Sequence, residues 1–308
     1  MKNVARAIGG GVAVGVANVI PGVSGGTMMT IMNIFDRTMN AISNVTKKEN
    51  KNRMSDIWFL VQVLIGAVIG VLGFSMLLEK LFGVIPMPTV FWFVGLVALS
   101  VPVFMKTQMK DVKFQTAAFL VGAAIVAALT VAKVIWFPEA EPAIDPATGE
   151  EIKIAYDLPA FSIVNCGILM AAGAVSGFAM LLPGISGSLV LMILGLYEYV
   201  WFNYVNNAKL LFSELSIDTI IKFIPAGFFA IGMILGIVLS AKVTSWAMAK
   251  NARFTLSLLL GLVAASAVSI VCINTAKMTT DLWMIVGSVV AFAFGGAIVW
   301  YLGKVTAD

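Results

Sequence analysis

Two short stretches of this chain place the same residue types in the same order, 162 residues apart. The first is Ile20-Pro21-Gly22-Val23-Ser24-Gly25-Gly26, followed by Thr27, and the second is Leu182-Pro183-Gly184-Ile185-Ser186-Gly187-Ser188. Proline stops a helix and pushes the residue before it toward extended geometry. Ser24 and Ser186 then stand where each could cap a new helix, whose first turn is Gly25-Gly26-Thr27 or Gly187-Ser188-Leu189. A helix start offers unpaired N–H groups and the positive end of the helix dipole. Gly25, Gly26 and Gly187 let a ligand approach the backbone, and Ser24, Thr27, Ser186 and Ser188 add hydroxyls. The combination suits a phosphate or a carboxylate without any lysine in the loop. The binding candidates are therefore Pro21, Gly22, Ser24, Gly25, Gly26 and Thr27, with Pro183, Gly184, Ser186, Gly187 and Ser188. No arginine or lysine lies in either stretch, so a dianion would lean on the dipoles or on Arg6 and Arg37 nearby. Asp36 and Glu198 match at the same spacing. They read either as proton-coupling or head-group contacts or as solvated carboxylates at an interface.

Other chemistry is excluded by what is missing. The chain has no histidine, which rules out histidine bases and histidine metal ligands. Cys166 and Cys272 sit singly in apolar segments, as packing residues do, with no metal spacing and no evident disulfide. No cofactor and no metal are expected. The net charge of +4 fits loop lysines facing a cytoplasm rather than a nucleic-acid surface.

The elements that must hold these loops are membrane helices. Hydrophobic residues make up 60% of the 308 and charged residues 12%, far from the balance of a soluble domain. Apolar runs reach the roughly 20 residues that a helical span needs, and lipid leaves unpaired backbone no alternative partner. The predicted class is an all-α polytopic membrane protein. Spans are expected near 57–78, 89–105 and 115–137, and again near 219–241, 254–273 and 282–302. The matched loops belong to a longer repeat. At the 162 offset Asp56 meets Asp218, Gly70 meets Gly232 and Lys80 meets Lys242. Further on, Gly95–Ser100 matches Gly261–Ser266, and Leu120–Gly122 matches Ile285–Gly287. Repeat one is then 1–137, an acidic extracytoplasmic connector covers 138–159, and repeat two is 160–308, all in one membrane domain. The apolar N-terminus resembles a signal peptide, but its counterpart inside the second half argues that it is structural.

Each motif segment is predicted to enter and leave on one side as a re-entrant helix hairpin, about 4–44 and 160–205. Its return helix would run unbroken from Ser24 to Asp36, roughly 20 Å at 1.5 Å per residue. Under that topology fourteen of the 20 lysines and arginines fall on the side of the N- and C-termini, which marks it as cytoplasmic. Three full spans per half invert the second repeat relative to the first. The two loops would then approach mid-membrane from opposite faces, a transporter plan with its site at the repeat interface.

At Ala17-Asn18-Val19-Ile20-Pro21-Gly22-Val23-Ser24-Gly25-Gly26-Thr27 and at Leu182–Ser188, along essentially the whole chain, the sequence resembles a bacterial family of polyprenyl-phosphate transporters. That family was formerly a membrane family of unknown function. The resemblance implies a flippase in the inner (plasma) membrane that returns undecaprenyl phosphate from the outer to the inner leaflet, recycling the carrier of envelope synthesis. The implied partners are this lipid and the bilayer, with no nucleic acid. Two other classes stay open on the residues alone. One is a membrane polyprenyl-pyrophosphate phosphatase, although the loops lack the arginine, histidine and paired carboxylates such chemistry wants. The other is a transporter or channel for a small soluble anion.

Overall fold

A computed structural model describes residues 2–19, 24–45, 47, 51–136, 161–200, 203–204 and 216–307. Its regular elements are helices. In the first half they are α1 (Lys2–Val19), α2 (Gly25–Ile31), α3 (Phe35–Val45), α4 (Arg53–Val84), α5 (Pro86–Thr107) and α6 (Thr116–Trp136). In the second they are α7 (Ile163–Leu181), α8 (Gly187–Ile193), α9 (Tyr197–Val200), α10 (Ile217–Ile273) and α11 (Leu282–Ala307). The 57-residue α10 is two arms joined at Asn251, whose φ of −155° and ψ of 80° are not helical. The Asn251 side chain accepts from the Phe254 N–H at 3.0 Å, so it caps the second arm where the first one ends.

Among the described residues, six helices are long and apolar enough to cross a membrane. They differ from the expected six in one respect. The 19-residue α7 qualifies by length and hydropathy, and the two arms of α10 lie in one continuous segment. Apolar side chains face outward on these helices, among them Ile65, Ile69, Val289, Val290 and Phe294, each about half exposed or more. Lipid is the solvent that accepts such a surface. The interior lies where α5 and the second arm of α10 run together, filled by Phe93, Val97, Phe104, Leu259, Leu260, Leu262 and Ile270.

The helices pair through backbone-to-backbone crossings at small residues. In the α1–α4 crossing, Gly11 lies against the Val63 carbonyl, Gly15 against Ala67, Gly66 against Ile8 and Gly70 against Val12. In the crossing of α7 with the first arm of α10, Gly173 lies against Phe229, Gly177 against Met233, Gly232 against Met170 and Gly236 against Ala174. The corresponding glycines are thus 162 apart on α1 and α7 but 166 apart on α4 and α10. Gly70 has the role of Gly236, and Gly66 that of Gly232. The sequence pairing of Gly70 with Gly232, and of Asp56 with Asp218, is therefore one helical turn out of register. The same pattern continues on the other side. Gly95 on α5 meets the Phe292 carbonyl on α11, and Gly261 on α10 meets the Phe119 carbonyl on α6, at the 166 offset. Gly122 meets Leu258, and the residue in its role is Gly295, which meets Trp92; Gly287 touches only the Pro88 ring.

Candidate functional site

The two loops open α2 and α8 with the same backbone. Ser24 has φ −97° and ψ 131°, and Ser186 has φ −96° and ψ 134°, both extended in the manner of an N-cap. Each short helix then ends alike. Asn33 (φ 53°) and Gly195 (φ 68°) adopt the left-handed conformation. The N–H of Asn33 binds the Thr30 carbonyl and that of Ile34 binds Met29, as Gly195 binds Met192 and Leu196 binds Leu191. This is a Schellman-type stop, and it corrects the expected unbroken return helix. Between Ser24 and Asp36 the chain makes α2, turns, and starts α3 at Phe35.

The side chains of the paired loops differ. The Ser24 hydroxyl accepts from the Gly26 N–H at 3.1 Å and donates to the Leu182 carbonyl of the other loop at 2.8 Å. Thr27 Oγ1 in turn accepts from the Gly184 N–H at 2.9 Å. The loops therefore interlock, and Ser24 and Thr27, at 2% and 1% exposure, spend their hydroxyls on that contact. Two glycines make it possible. A Cβ on Gly26 would lie 2.5 Å from the Leu181 carbonyl oxygen and 2.8 Å from the Pro183 nitrogen. Gly184 holds φ at +84° with the Leu262 carbonyl pressed against its α-carbon, a conformation that side-chain-bearing residues resist. Gly25 packs on the Asn18 amide, and Gly187 on Ser176, whose hydroxyl donates to the Gly187 carbonyl at 3.0 Å. Pro183 is buried in the same contact.

Ser186 does not cap α8. Its hydroxyl pairs with that of Ser188 at 2.7 Å, and both line a cavity of about 210 Å³ with Asn18, Ser176, Tyr197 and Phe229. The structure thus brings Ser24, Gly25, Gly26, Thr27, Pro183, Gly184, Ser186, Gly187 and Ser188 into one cluster. The Ser186–Ser188 side of that cluster opens to this cavity. Pro21 and Gly22 lie outside the described residues, and so does the Glu198 side chain. Asn18 and Ser176 join the site although sequence reasoning passed over them. An amide three residues ahead of the first proline, in an otherwise apolar helix, was the available signal.

The acidic and basic candidates stand apart from the loops. Asp36 is half-buried in the first turn of α3, outside the six spans, and burial pushes its carboxyl up from the ordinary value. Arg37 binds the buried Asp56 carboxylate on α4 at 2.6 Å and lies over the Phe59 ring, 5.0 Å from its centroid. With Arg6 it lines a second, larger cavity of about 440 Å³ at the start of α1.

The family profile described as "VCA0040-like: Undecaprenyl phosphate translocase-like" matches residues 14–283. A polyprenyl-phosphate transporter of Staphylococcus aureus is 28% identical over 298 residues, covering 97% of this chain and 95% of its own length. A polyprenyl-phosphate transporter of Vibrio cholerae is 26% identical over 263 residues, covering 82% of this chain and 72% of its own. No solved structure matches the chain.

Proposed function

Because the chain belongs to the VCA0040-like, undecaprenyl phosphate translocase-like family, we propose that it is a flippase for polyprenyl phosphate. In this reading it returns undecaprenyl phosphate from the outer to the inner leaflet of a bacterial plasma membrane, so that the carrier can be used again in envelope synthesis. The tail of such a lipid stays in the bilayer throughout. The charged head group is what hydrocarbon resists, at a cost of several kcal/mol. The protein's task is to give that head group a polar path.

The observation that carries this reading is the meeting of the two loops. Two chain breaks 162 residues apart come together, each opening a helix, with a hydroxyl-lined cavity against one of them. Breaking two apolar helices at matched places leaves backbone groups that need partners. Here part of that need is met by cross-bonds between loops, which can be exchanged for bonds to a phosphate. We take the halves as inverted repeats, with α1–α3 and α7–α9 as re-entrant hairpins and the termini cytoplasmic. The head group would rest against Ser186–Ser188 and Asn18, and pass the Ser24–Thr27 loop when the Ser24–Leu182 and Thr27–Gly184 bonds part. Both named relatives are transporters rather than enzymes, and the loops hold no arginine or paired carboxylates for ester cleavage.

The test is leaflet-resolved movement of undecaprenyl phosphate in proteoliposomes, with phosphate release followed in the same vesicles. Movement without release is the expected result. Release would move the protein to the phosphatase class. Absence of movement from folded protein, with a pH gradient also tried, would overturn the lipid reading and leave a small soluble anion as the cargo to examine.

A further inference from the structure

The two halves match in backbone but not in charge, and the difference is concentrated at the larger cavity. Arg6 reaches it from α1, Asn33 and Arg37 from the turn into α3, and Ser55, Trp58 and Gln62 from α4. At the corresponding positions of the second half stand Ile168 for Arg6 and Tyr199 for Arg37, 162 residues on. Ile221, Ile224 and Phe228 replace Ser55, Trp58 and Gln62, 166 residues on. Packing requires neither arginine, since the second half builds the same crossing with Ile168 and Tyr199, and with Lys222, paired to Asp218, at the place of Asp56.

The cationic version is also prepared for a ligand. Arg37 gives one N–H to Asp56 and lies on Phe59, which fixes the guanidinium while its other donors have no partner among the described residues. Asp56 is 2% exposed and neutralises Arg37, so the cavity keeps one uncompensated positive charge, that of Arg6. Arg6 has no carboxylate partner among the described residues. Gln62 is 93% buried, at 7% exposure, yet its amide has no hydrogen-bond partner among the described residues and it borders the cavity. The amide borders the cavity without a protein partner among the described residues, and a ligand with several acceptor oxygens would take its N–H groups.

We propose that this cavity is a binding site for a phosphomonoester, separate from the paired loops and present in only one half. Two guanidinium groups, the Gln62 amide and the Ser55 hydroxyl converge on space of about 440 Å³, enough for a phosphate with its first carbon units against Trp58. Under the proposed function, on which only the choice of a lipid as the phosphate's source rests, the site receives the head group on the side where α1 begins. The absence of arginines from the second half then makes the two ends of the path unequal in affinity.

The experiment measures binding of farnesyl phosphate, inorganic phosphate and farnesol to the full-length protein in nanodiscs by calorimetry. Arg6→Gln is expected to weaken farnesyl phosphate about tenfold or more, the effect of losing one charge-assisted bond, and Gln62→Leu to weaken it less. Arg37→Gln alone takes the guanidinium from the buried Asp56 carboxylate, so the paired change Arg37→Gln with Asp56→Asn is used, and the same weakening is expected. Farnesol should bind without regard to these changes. If inorganic phosphate binds with the same dependence on Arg6, the site stands and its ligand extends to free phosphate. Unchanged farnesyl phosphate affinity in both Arg6→Gln and the paired variant, or no binding of either phosphate to folded wild type, overturns the proposal. Leaflet movement measured on the same samples separates the two readings: arginine-dependent binding without movement removes the flippase and keeps the site, whereas movement with arginine-independent binding does the reverse.

Discussion

Ser24 and Ser186 occupy matching positions and have unequal roles, which makes them the sharpest pair of residues to compare. The Ser24 hydroxyl serves both as helix cap and as a donor to the opposite loop. Ser24→Ala therefore removes two buried hydrogen bonds and is expected to lower stability by about 1–2 kcal/mol, read as a drop in thermal unfolding temperature in detergent. Ser186→Ala combined with Ser188→Ala removes only a hydroxyl pair at a cavity wall. It should leave that temperature nearly unchanged while slowing lipid movement, and the opposite pattern would mean that the head group does not use this wall. Asp36 makes a separate prediction through pH. Its folded pKa is raised by burial above 3.8, so the fold favours its protonated form. That contribution is complete below the unfolded value and is lost as pH rises through the folded one. Asp36→Asn should consequently match wild type near pH 4 and become the more stable of the two toward neutrality. If Asp36 carries a coupled proton, the same variant also flattens the pH dependence of transport.

The helices are held at crossings that single side chains can report. Arg37 ties α3 to α4 through a carboxylate that is nearly inaccessible. Removing the arginine alone takes the guanidinium from that buried charge and is expected to cost about 2 kcal/mol. Arg37→Gln together with Asp56→Asn should recover most of the loss, and a double-mutant cycle on unfolding temperature measures the coupling. Asn251 has a comparable place in α10, where Asn251→Ala loses the cap of the second arm, about 1 kcal/mol. At this scale the reach of sequence reasoning is also clearest. The loops and the Ser24 cap were legible because proline, glycine and serine act locally, within three or four residues, whereas the Ser186 hydroxyl turns to Ser188 instead of capping α8. The register of α4 against α10 was not, since Gly66 and Gly70 repeat one turn apart, as do Gly232 and Gly236, and a slip of four keeps glycine on glycine. Only the carbonyls they press against, Ile8 and Val12 or Met170 and Ala174, resolve it. The stop after α2 was readable from Asn33 and Gly195, two residue types that tolerate positive φ. The cavity holding Arg6 and Gln62 was not, because its walls come from three elements joined only in the folded chain.

For the molecule as a whole, the interlocked loops set a condition on transport. α1–α4 on one side and α7 with the first arm of α10 on the other meet through the loops, with the Ser24–Leu182 and Thr27–Gly184 bonds spanning that meeting. The path between leaflets runs past this point if the halves exchange the head group. A phosphate then passes only when those bonds open, and alternating access amounts to opening them toward one face at a time. Covalent closure should stop the cycle. A protein carrying Ser24→Cys and Leu182→Cys, with Cys166 and Cys272 replaced by alanine, puts one thiol on each of the two residues now joined by the 2.8 Å bond from the Ser24 hydroxyl to the Leu182 backbone carbonyl. Oxidation is expected to cut leaflet movement of undecaprenyl phosphate by tenfold or more, and reduction to restore it. Each single-cysteine variant should be indifferent to both treatments. Farnesyl phosphate binding at the arginine cavity should survive the cross-link, because that cavity lies at the start of α1, away from the loops. Full transport by the cross-linked protein would mean that the head group travels along the outside of this contact, and would direct attention to the lipid-facing surface between the two halves.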